Sequence, residues 1–313
     1  MDTNRYALLV GITYPNTKMS LPGCDDDVAD IRSFLKRKGW SDESIHVLSD
    51  GKVDGAKLLK PTLENITAQF DKLLRWTWDN KDGEVFIHYS GHGSQMADDT
   101  WVFDTTKNTM KFEDANTEVS FVSSDLKPIR YDFVQKILSQ IPKWFDVFCL
   151  FDACHSGNTM DLEYRCSLDN DSCYEHTGAK NDIVANIIML SGCHDVETRV
   201  SRFSGKWYGA VTYAFLTLAA HMERFCNRVD QATFLEYMQI MTTQFPQVPQ
   251  MTSSRGEFDN LMCFTKDTFG FSQINDSELI QPQPKVQSSS QSHSENEKTL
   301  LMRIIDKIIG WCR

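Results

Sequence analysis

A cysteine and a histidine follow two apolar segments of the chain and together could perform nucleophilic chemistry. Cys154 comes just after the apolar run 147–151, and His92 comes just after a similar run at 84–89. Runs of this length predict buried strands, and the small and polar residues that follow them predict exposed turns. Open α/β sheets place their reactive groups at such strand ends. An imidazole beside a thiol favours the thiolate, which attacks an acyl carbon.

Other roles for these residues fit the pattern less well. A lone cysteine after a strand is usually a small buried core residue, but here Gly91 and Gly157 would let a substrate approach the backbone closely. His155 is a rival imidazole, although a sequence neighbour cannot easily reach back over its own thiol. His88 lies inside its predicted strand and is expected to be a core histidine. A cysteine phosphatase is excluded because Met160 stands where its phosphate-binding arginine would be.

The stretches around these two residues closely resemble the metacaspases, which are caspase-like cysteine peptidases. The sequences are HYSGHGSQ at 88–95 and DACHSG at 152–157, with further matches at 21–27, 189–193 and 209–215. The resemblance covers roughly residues 5 to 265. It implies an α/β, caspase-like fold with a mainly parallel central sheet flanked by helices on both faces. It also implies Cys154 and His92 as the catalytic pair and cleavage after Arg or Lys.

The resemblance further implies a pocket for the basic side chain before the cut. Its members would be one thiol, one hydroxyl and two carboxylates, at Cys24, Asp27, Ser90 and Asp152. A guanidinium or ammonium that leaves water needs a hydrogen-bonded carboxylate as its partner. From the residues alone, Asp25 and Asp26 are equal candidates with Asp27, because all three could be acidic residues of a helix N-terminus.

Calcium activation is a further implication of the resemblance. The implied ligands are Glu118, Asp132 and Asp161, while Tyr131 stands where another acidic residue is expected. Several oxygens hold calcium and their charge sets its affinity, so the tyrosine removes one carboxylate from the set. Asp132 and Asp161 could equally belong to a solvated surface. No organic cofactor is predicted.

Self-cleavage is also implied, at a basic residue in the segment that follows the cysteine. The candidates are Arg165 and Lys180. The expected partners are protein or peptide substrates with a basic residue before the cut, and the chain is expected to be a monomer. The alternative function is a catalytically silent, metacaspase-like regulatory or binding protein. The presence of both catalytic residue types favours the enzyme.

The composition excludes some classes of function. The net charge is −11, which argues against nucleic-acid binding, because that function needs a basic face. The nine cysteines are an odd number without a framework spacing, and no signal peptide precedes the first predicted strand. These features predict free thiols and a cytoplasmic location. No apolar run reaches the ~20 residues that a membrane span needs.

The chain alternates between predicted strands and helices, which indicates a mainly parallel sheet. The strands are predicted at 6–12, 45–48, 84–89, 147–151, 186–191 and 260–264, and the helices at 25–38, 61–78, 128–141, 208–222 and 231–245. Between them, the segments 95–125 and 158–181 show no periodicity and predict loops, with a short hairpin in the first.

The C-terminal part differs in composition from the rest. A peptidase domain is predicted at 1–270, with a larger part at 1–165 and a smaller part at 181–270. A Pro, Gln and Ser-rich linker follows at 271–298. The last segment, 299–313, predicts a short amphipathic helix whose apolar face carries Leu301, Ile304, Ile305, Ile308 and Trp311. Docking of this helix on the domain is favoured over membrane association, because the segment is short and mixed in charge.

Overall fold

The computed structural model describes ten segments of the chain. They are 4–97, 103–104, 109–110, 117–153, 160–168, 174–193, 201–203, 206–225, 231–243 and 248–256. Cys154 lies outside the described residues, as do the strand predicted at 260–264, the linker and the C-terminal helix. The predicted domain boundaries stay a prediction.

The described residues form sixteen strands and five α-helices. The strands are β1 (Arg5–Gly11), β2 (Ile45–Ser49), β3 (Leu58–Leu59), β4 (Gly83–Ser90), β5 (Gly93–Ala97), β6 (Phe103–Asp104), β7 (Thr109–Met110), β8 (Thr117–Val122), β9 (Pro128–Arg130), β10 (Phe145–Asp152), β11 (Tyr164–Cys166), β12 (Tyr174–His176), β13 (Asn186–Cys193), β14 (Ser201–Phe203), β15 (Lys206–Tyr208) and β16 (Val248–Ser253). The helices are α1 (Cys24–Arg37), α2 (Leu63–Asp79), α3 (Tyr131–Ser139), α4 (Ala210–Phe225) and α5 (Gln231–Thr242). The predicted helices and the buried strands before His92 and Cys154 are confirmed, with bounds shifted by a few residues.

A nine-stranded sheet organises the described part of the chain. Its order is β12-β11-β16-β13-β10-β4-β1-β2-β3. The strands from β13 to β3 are parallel, and β16 pairs antiparallel with β13. The α/β prediction of a mainly parallel sheet is therefore confirmed. Because β4 and β10 are adjacent and parallel, their C-terminal ends lie side by side.

Helices cover both faces of this sheet. In β10, Val147, Cys149 and Phe151 pack in one apolar cluster with α2 and α3. Phe148 and Leu150 pack in the other cluster, with α1, α4 and α5. Successive strand residues point to opposite faces. This alternation directs Asp152, the last residue of β10, towards α1 and α4.

The helix starts follow from local sequence. The Thr62 hydroxyl accepts the N–H of Asn65 at 3.3 Å and so caps α2. At the start of α1, Gly23 has φ 104°, and a Cβ there would come 2.7 Å from the backbone of Trp207. Glycine is therefore required at this position, because the backbone is left-handed and because β15 packs too closely for a side chain.

Two predicted loops contain short strands. In the first, β5 pairs with β8, which pairs with β9. In the second, β11 and β12 form a hairpin that joins the large sheet beside β16. Three of these strands, β9, β11 and β12, have only three residues each, too few for the alternation by which strands are recognised. The strand β16 was not predicted either.

The structure also bears on two expectations drawn from the composition, which concern the cysteines and membrane-spanning helices. Cys24 and Cys149 are free and buried, as expected, whereas the expectation of free thiols is wrong for Cys166, which is disulfide-bonded. Within the described segments, no helix combines the length and the apolar character needed to cross a membrane.

Candidate active site

The ends of β4 and β10 bring the two predicted catalytic positions to one edge of the sheet. Ser90 is paired in register with Asp152, and the Gly91 N–H donates to the Asp152 carbonyl at 3.3 Å. His92 follows Ser90 by two residues, and Cys154 follows Asp152 by two residues. Neighbouring strands lie about 4.8 Å apart. The described backbone thus brings His92 and Ala153, the residue before Cys154, to the same edge, and Cys154 itself lies outside the described residues.

A backbone carbonyl orients the imidazole of His92. The ring is half-buried, and its Nε2 lies 2.9 Å from the carbonyl oxygen of Met19. A carbonyl can only accept a hydrogen bond, so Nε2 carries the proton in this contact. In the neutral ring, Nδ1 is then the basic nitrogen. The ring also packs against Tyr14, with centroids 4.9 Å apart.

Two buried tyrosines fix the backbone of His92. The Tyr14 hydroxyl accepts the His92 N–H at 3.1 Å and donates to the Val122 carbonyl at 2.6 Å. The Tyr89 hydroxyl donates to the His92 carbonyl at 2.9 Å. A Cβ on Gly91 would come 2.7 Å from the Tyr89 hydroxyl, so only glycine leaves room for this arrangement.

Three of the four predicted pocket residues meet at the start of α1. Asp27 is fully buried, and its Oδ2 accepts the Ser90 hydroxyl at 2.7 Å. The Gly209 N–H donates to both carboxylate oxygens of Asp27 at 3.1 Å. The buried Cys24 thiol is in hydrogen-bond contact with Ser90.

The fourth pocket residue, Asp152, lies at the N-terminus of α4. It is 1% exposed, and its Oδ2 accepts the Thr212 N–H at 2.6 Å. The backbone N–H groups of a first helical turn favour a negative charge at this place. The other oxygen, Oδ1, has no hydrogen-bond partner within the described segments. A Cβ on Gly209 would overlap the carboxylate, so this position also requires glycine.

The two carboxylates share one low-dielectric environment. Burial raises the pKa of Asp27 well above its usual range, and the neighbouring Asp152 charge raises it further. Burial also raises the pKa of Asp152, while the Thr212 N–H opposes that rise. Burial, followed by the Asp27 charge, raises the pKa of the Cys24 thiol. Two buried carboxyl groups with no cation beside them favour the protonated forms. A cation between them would favour the charged forms.

Comparison with known proteins identifies the family. A family model described as the metacaspase, peptidase C14 domain matches residues 5–163. The chain belongs to the metacaspase family. Metacaspase-1 of Mycosarcoma maydis is 25% identical over 308 aligned residues, which cover 81% of this chain and 71% of that protein. Metacaspase-2 of Trypanosoma brucei brucei is 32% identical over 200 residues, which cover 61% of this chain and 54% of that protein.

The chain thus spans about half the length of the trypanosome metacaspase that it matches. Among solved structures, a crystal structure of a Geobacter sulfurreducens protein covers 83% of this chain and 98% of its own, with a TM-score of 0.55 and 19% identity. That likeness concerns the fold alone. The caspase-like α/β fold predicted from the sequence agrees with the metacaspase family and with the observed sheet.

The geometry distinguishes Asp27 from the two acidic residues that precede it. Asp27 is buried beside Ser90, whereas Asp25 and Asp26 are partly exposed. Asp25 Oδ2 accepts the N–H of Lys52 at 3.1 Å and so stabilises a different loop. His88 is a core histidine, as expected: it is fully buried, its Nε2 lies 3.2 Å from the Thr212 hydroxyl, and burial lowers its pKa to about 3.

Two of the three candidate calcium ligands, Asp132 and Asp161, have described side chains. Asp132 is exposed and pairs with Arg130 at 3.2 Å. Tyr131 is buried, and its ring packs edge-on against Phe121. Asp161 is exposed at a residue with φ 45°, and the side chain of Glu118 is outside the described set. The described side chains include no group of three His, Cys, Asp or Glu residues suited to a metal.

The two candidate self-cleavage residues lie in different backbone environments. Arg165 is in the middle of β11, paired on one side with Glu175 and on the other with Thr252. Lys180 is exposed in the segment 177–185, which has no helix or strand.

Sequence reasoning missed several residues that shape the site. Gly209 and Thr212 lie in a stretch, 209–215, that matched the metacaspases, so a signal was present without a role. Tyr89 likewise lies in the matching stretch 88–95, whereas Tyr14 had no signal, because its hydroxyl acts on the backbone of a residue 78 positions away. The Met19 carbonyl could not be found from sequence, since every residue has a carbonyl.

Proposed function

We propose that this chain is a cysteine endopeptidase that cleaves proteins after Arg or Lys. In this mechanism, His92 Nδ1 takes the proton of the Cys154 thiol, because Nε2 is engaged with the Met19 carbonyl. The thiolate attacks the scissile carbonyl carbon, and the imidazolium returns the proton to the leaving amine. Water then hydrolyses the thioester and releases Cys154. Membership in a peptidase family and the common strand edge support this proposal.

One observation carries the specificity for a basic side chain. Asp27 and Asp152 are both buried, and Asp152 Oδ1 has no hydrogen-bond partner among the described residues. Buried carboxylate oxygens are normally hydrogen-bonded, and a missing partner calls for an explanation. A guanidinium or ammonium would supply both the hydrogen bond and the charge. A substrate carboxylate would find no cationic partner there and would add a third acidic group to the buried pair, so cleavage after Asp is not expected.

Self-cleavage is proposed at Lys180 rather than Arg165. A peptidase cleft binds its substrate as an extended segment, and exposed segments without regular structure are the preferred sites of cleavage. Lys180 meets this condition, whereas cleavage at Arg165 requires β11 to leave the sheet.

No step of this mechanism runs through calcium. Calcium activation stays a prediction of the family resemblance. Peptidase rates in calcium and in EGTA, for the wild type and for Asp132→Asn, test it. A calcium-activated enzyme loses activity in EGTA and responds to calcium more weakly in the variant. Equal rates in the two buffers contradict activation.

A monomer is proposed from the edges of the sheet. The hairpin β11–β12 covers β16, and the outermost strands, β12 and β3, have three and two residues. Short edge strands oppose pairing between sheets of different molecules. Light scattering coupled to size exclusion gives the mass that tests this. The cytoplasmic location likewise stays a prediction, to be tested by microscopy of the tagged protein in cells.

The activity itself is tested with fluorogenic peptides that end in Arg, Lys or Asp. We expect hydrolysis after Arg and Lys by the wild type and none by Cys154→Ala or His92→Ala. A folded wild type that cleaves none of the peptides would support the silent regulatory protein instead.

A further inference from the structure

We propose that the C-terminal segment 299–313 docks on an apolar patch of its own domain, at the sheet edge opposite His92. The patch consists of Trp78, Trp144 and Val184, and is called the Trp78–Trp144 patch below. The exposed fractions are 59% for Trp78, 52% for Trp144 and 52% for Val184. Large apolar side chains that are this exposed and grouped together mark interaction sites.

Register brings two of the three patch residues, Trp144 and Val184, together. Asp146 of β10 is paired with Asn186 of β13, so the preceding residues Trp144 and Val184 occupy matching positions on adjacent chain segments. Both segments enter the sheet here, at the N-terminal ends of the parallel strands. The indole N–H of Trp78 donates to the carbonyl of Gln140 at 3.2 Å, which joins the end of α2 to the turn before Trp144.

The described chain ends beside this patch. Strand β16 runs antiparallel to β13 and so returns to the edge at which β13 begins. The Ser254 N–H donates to the Ile187 carbonyl at 2.9 Å, and its hydroxyl donates to the Ala185 carbonyl at 2.8 Å. Ala185 directly follows Val184. The chain therefore leaves the described fold next to one member of the patch.

The length of the intervening chain permits docking. Residues 257–298 separate this exit from the segment, and a flexible chain with the 28 residues of the predicted linker, 271–298, has a typical end-to-end distance of about 30 Å. That distance exceeds the width of the three strands bordering the patch, which are spaced by about 4.8 Å. Tethering also supplies an effective concentration of order millimolar. A weak apolar contact is therefore enough for docking.

The chemistry of the segment matches the surface. Its predicted helix has one apolar face, formed by Leu301, Ile304, Ile305, Ile308 and Trp311. An amphipathic helix is stabilised by burying such a face. Within 299–313, the basic side chains at 303, 307 and 313 outnumber the single acidic one at 306, while the chain as a whole has a net charge of −11. Exposed Asp79, Asp82 and Asp182 adjoin the patch, with Lys81 and Lys143 among them.

Hydrogen–deuterium exchange of the full chain tests the docking. In the wild type we expect the amides of 300–311 to exchange at least about tenfold more slowly than in the double variant Trp78→Ser/Trp144→Ser. The matched control is Leu59→Ser, which removes an exposed apolar side chain at the far edge strand β3 and should leave the protection unchanged. Persistent protection of β4 and β10 in each variant shows that the fold is intact.

A second variant leaves the domain untouched. Ile304→Asp/Ile308→Asp should abolish protection of 300–311 without affecting the core strands. The proposal is overturned if the wild-type segment is unprotected or if its protection survives loss of the two tryptophans. It is also overturned if protection appears only with anionic lipid vesicles, which indicates a membrane, or rises with protein concentration, which indicates a second copy.

Discussion

The Tyr14 hydroxyl accepts the backbone N–H of His92 at 3.1 Å, and the Tyr89 hydroxyl donates to the carbonyl of the same residue at 2.9 Å. Both polar groups of the His92 backbone are thus held by side chains from the buried core. The two hydrogen bonds hold the turn that carries the imidazole, although glycines flank His92 on both sides. We therefore expect that rigidity of this turn contributes to the proposed catalysis.

Removal of either hydroxyl should slow the chemical step. We expect Tyr14→Phe and Tyr89→Phe each to lower kcat about 5- to 20-fold with little change in KM, because the hydrogen bond to the His92 backbone, worth about 1 kcal/mol, is lost and the imidazole is less well aligned. Tyr6→Phe is the control, since the Tyr6 hydroxyl is buried without a hydrogen-bond partner in the described region. If kcat stays at the wild-type value in both variants, the positioning role is wrong.

The paired carboxylates should weaken the folded state when no substrate is bound. Their pKa values are raised by burial, so the folded protein binds protons more tightly than the unfolded chain. The protonated groups stabilise the folded state fully below the ordinary Asp pKa of about 3.9. This contribution to the free energy of unfolding is lost as the pH rises through the raised pKa values. We therefore expect Asp27→Asn to raise Tm by about 2 to 4 °C near neutral pH.

The pH dependence separates this effect from a general gain in stability. The difference in Tm between Asp27→Asn and the wild type should grow as the pH increases from 5 to 8, as followed by thermal denaturation. A difference that shrinks over this range would mean that the carboxylate is stabilised by a partner in the free enzyme.

Binding of a basic substrate should weaken as the pH falls, whereas the fold should gain stability from the same carboxyl groups. The pocket attracts a guanidinium only when its carboxylates are charged, so KM for an Arg peptide should increase as the pH falls through their raised pKa values. Steady-state kinetics at several pH values measure this. A peptide that carries citrulline in place of Arg lacks the charge, so its KM should change much less over the same range.

Gly209 should tolerate no side chain. Its N–H donates to Asp27, and a Cβ would overlap the Asp152 carboxylate. We expect Gly209→Ala to reduce kcat/KM for Arg and Lys peptides at least about tenfold, because one carboxylate must move. Gly256→Ala is the control, where a Cβ would come 3.2 Å from the Tyr164 ring. Equal activity in both variants would place Asp152 outside the pocket.

Self-cleavage should occur between molecules. Lys180 precedes β13, at the edge where the parallel strands begin, whereas His92 follows the other end of β4. The length of β4 alone, eight residues at about 3.3 Å each, separates these two edges. We expect Cys154→Ala to be cut after Lys180 by added wild type, at a rate proportional to its concentration.

Matched variants identify the cleaved residue. Lys180→Ala should remove the cut, while Arg165→Ala should leave it, as seen by mass spectrometry of the fragments. A rate independent of dilution would mean that each molecule cuts itself. Continued peptide hydrolysis by an uncut protein would reject self-cleavage alone and leave the proposed peptidase activity intact.

Sequence patterns predicted those parts of the molecule that depend on apolar periodicity. The strands before His92 and Cys154 are long and apolar, so their burial followed directly, whereas their adjacency is seen only in the strand order of the sheet. The hairpin β11–β12 and strand β16 were missed because they are held by pairing with distant strands rather than by their own pattern. Asp27 could be separated from Asp25 only through its contact with Ser90, a residue 63 positions away.

The central claim is that Asp27 and Asp152 hold the charge of a basic side chain. The most direct measurement is the ratio of kcat/KM for matched Arg and citrulline peptides, in the wild type and in Asp152→Asn. Loss of a buried ionic partner costs about 3 to 5 kcal/mol, so the wild-type ratio should exceed the variant ratio by at least about 100-fold. The same ratio in both proteins would contradict the account.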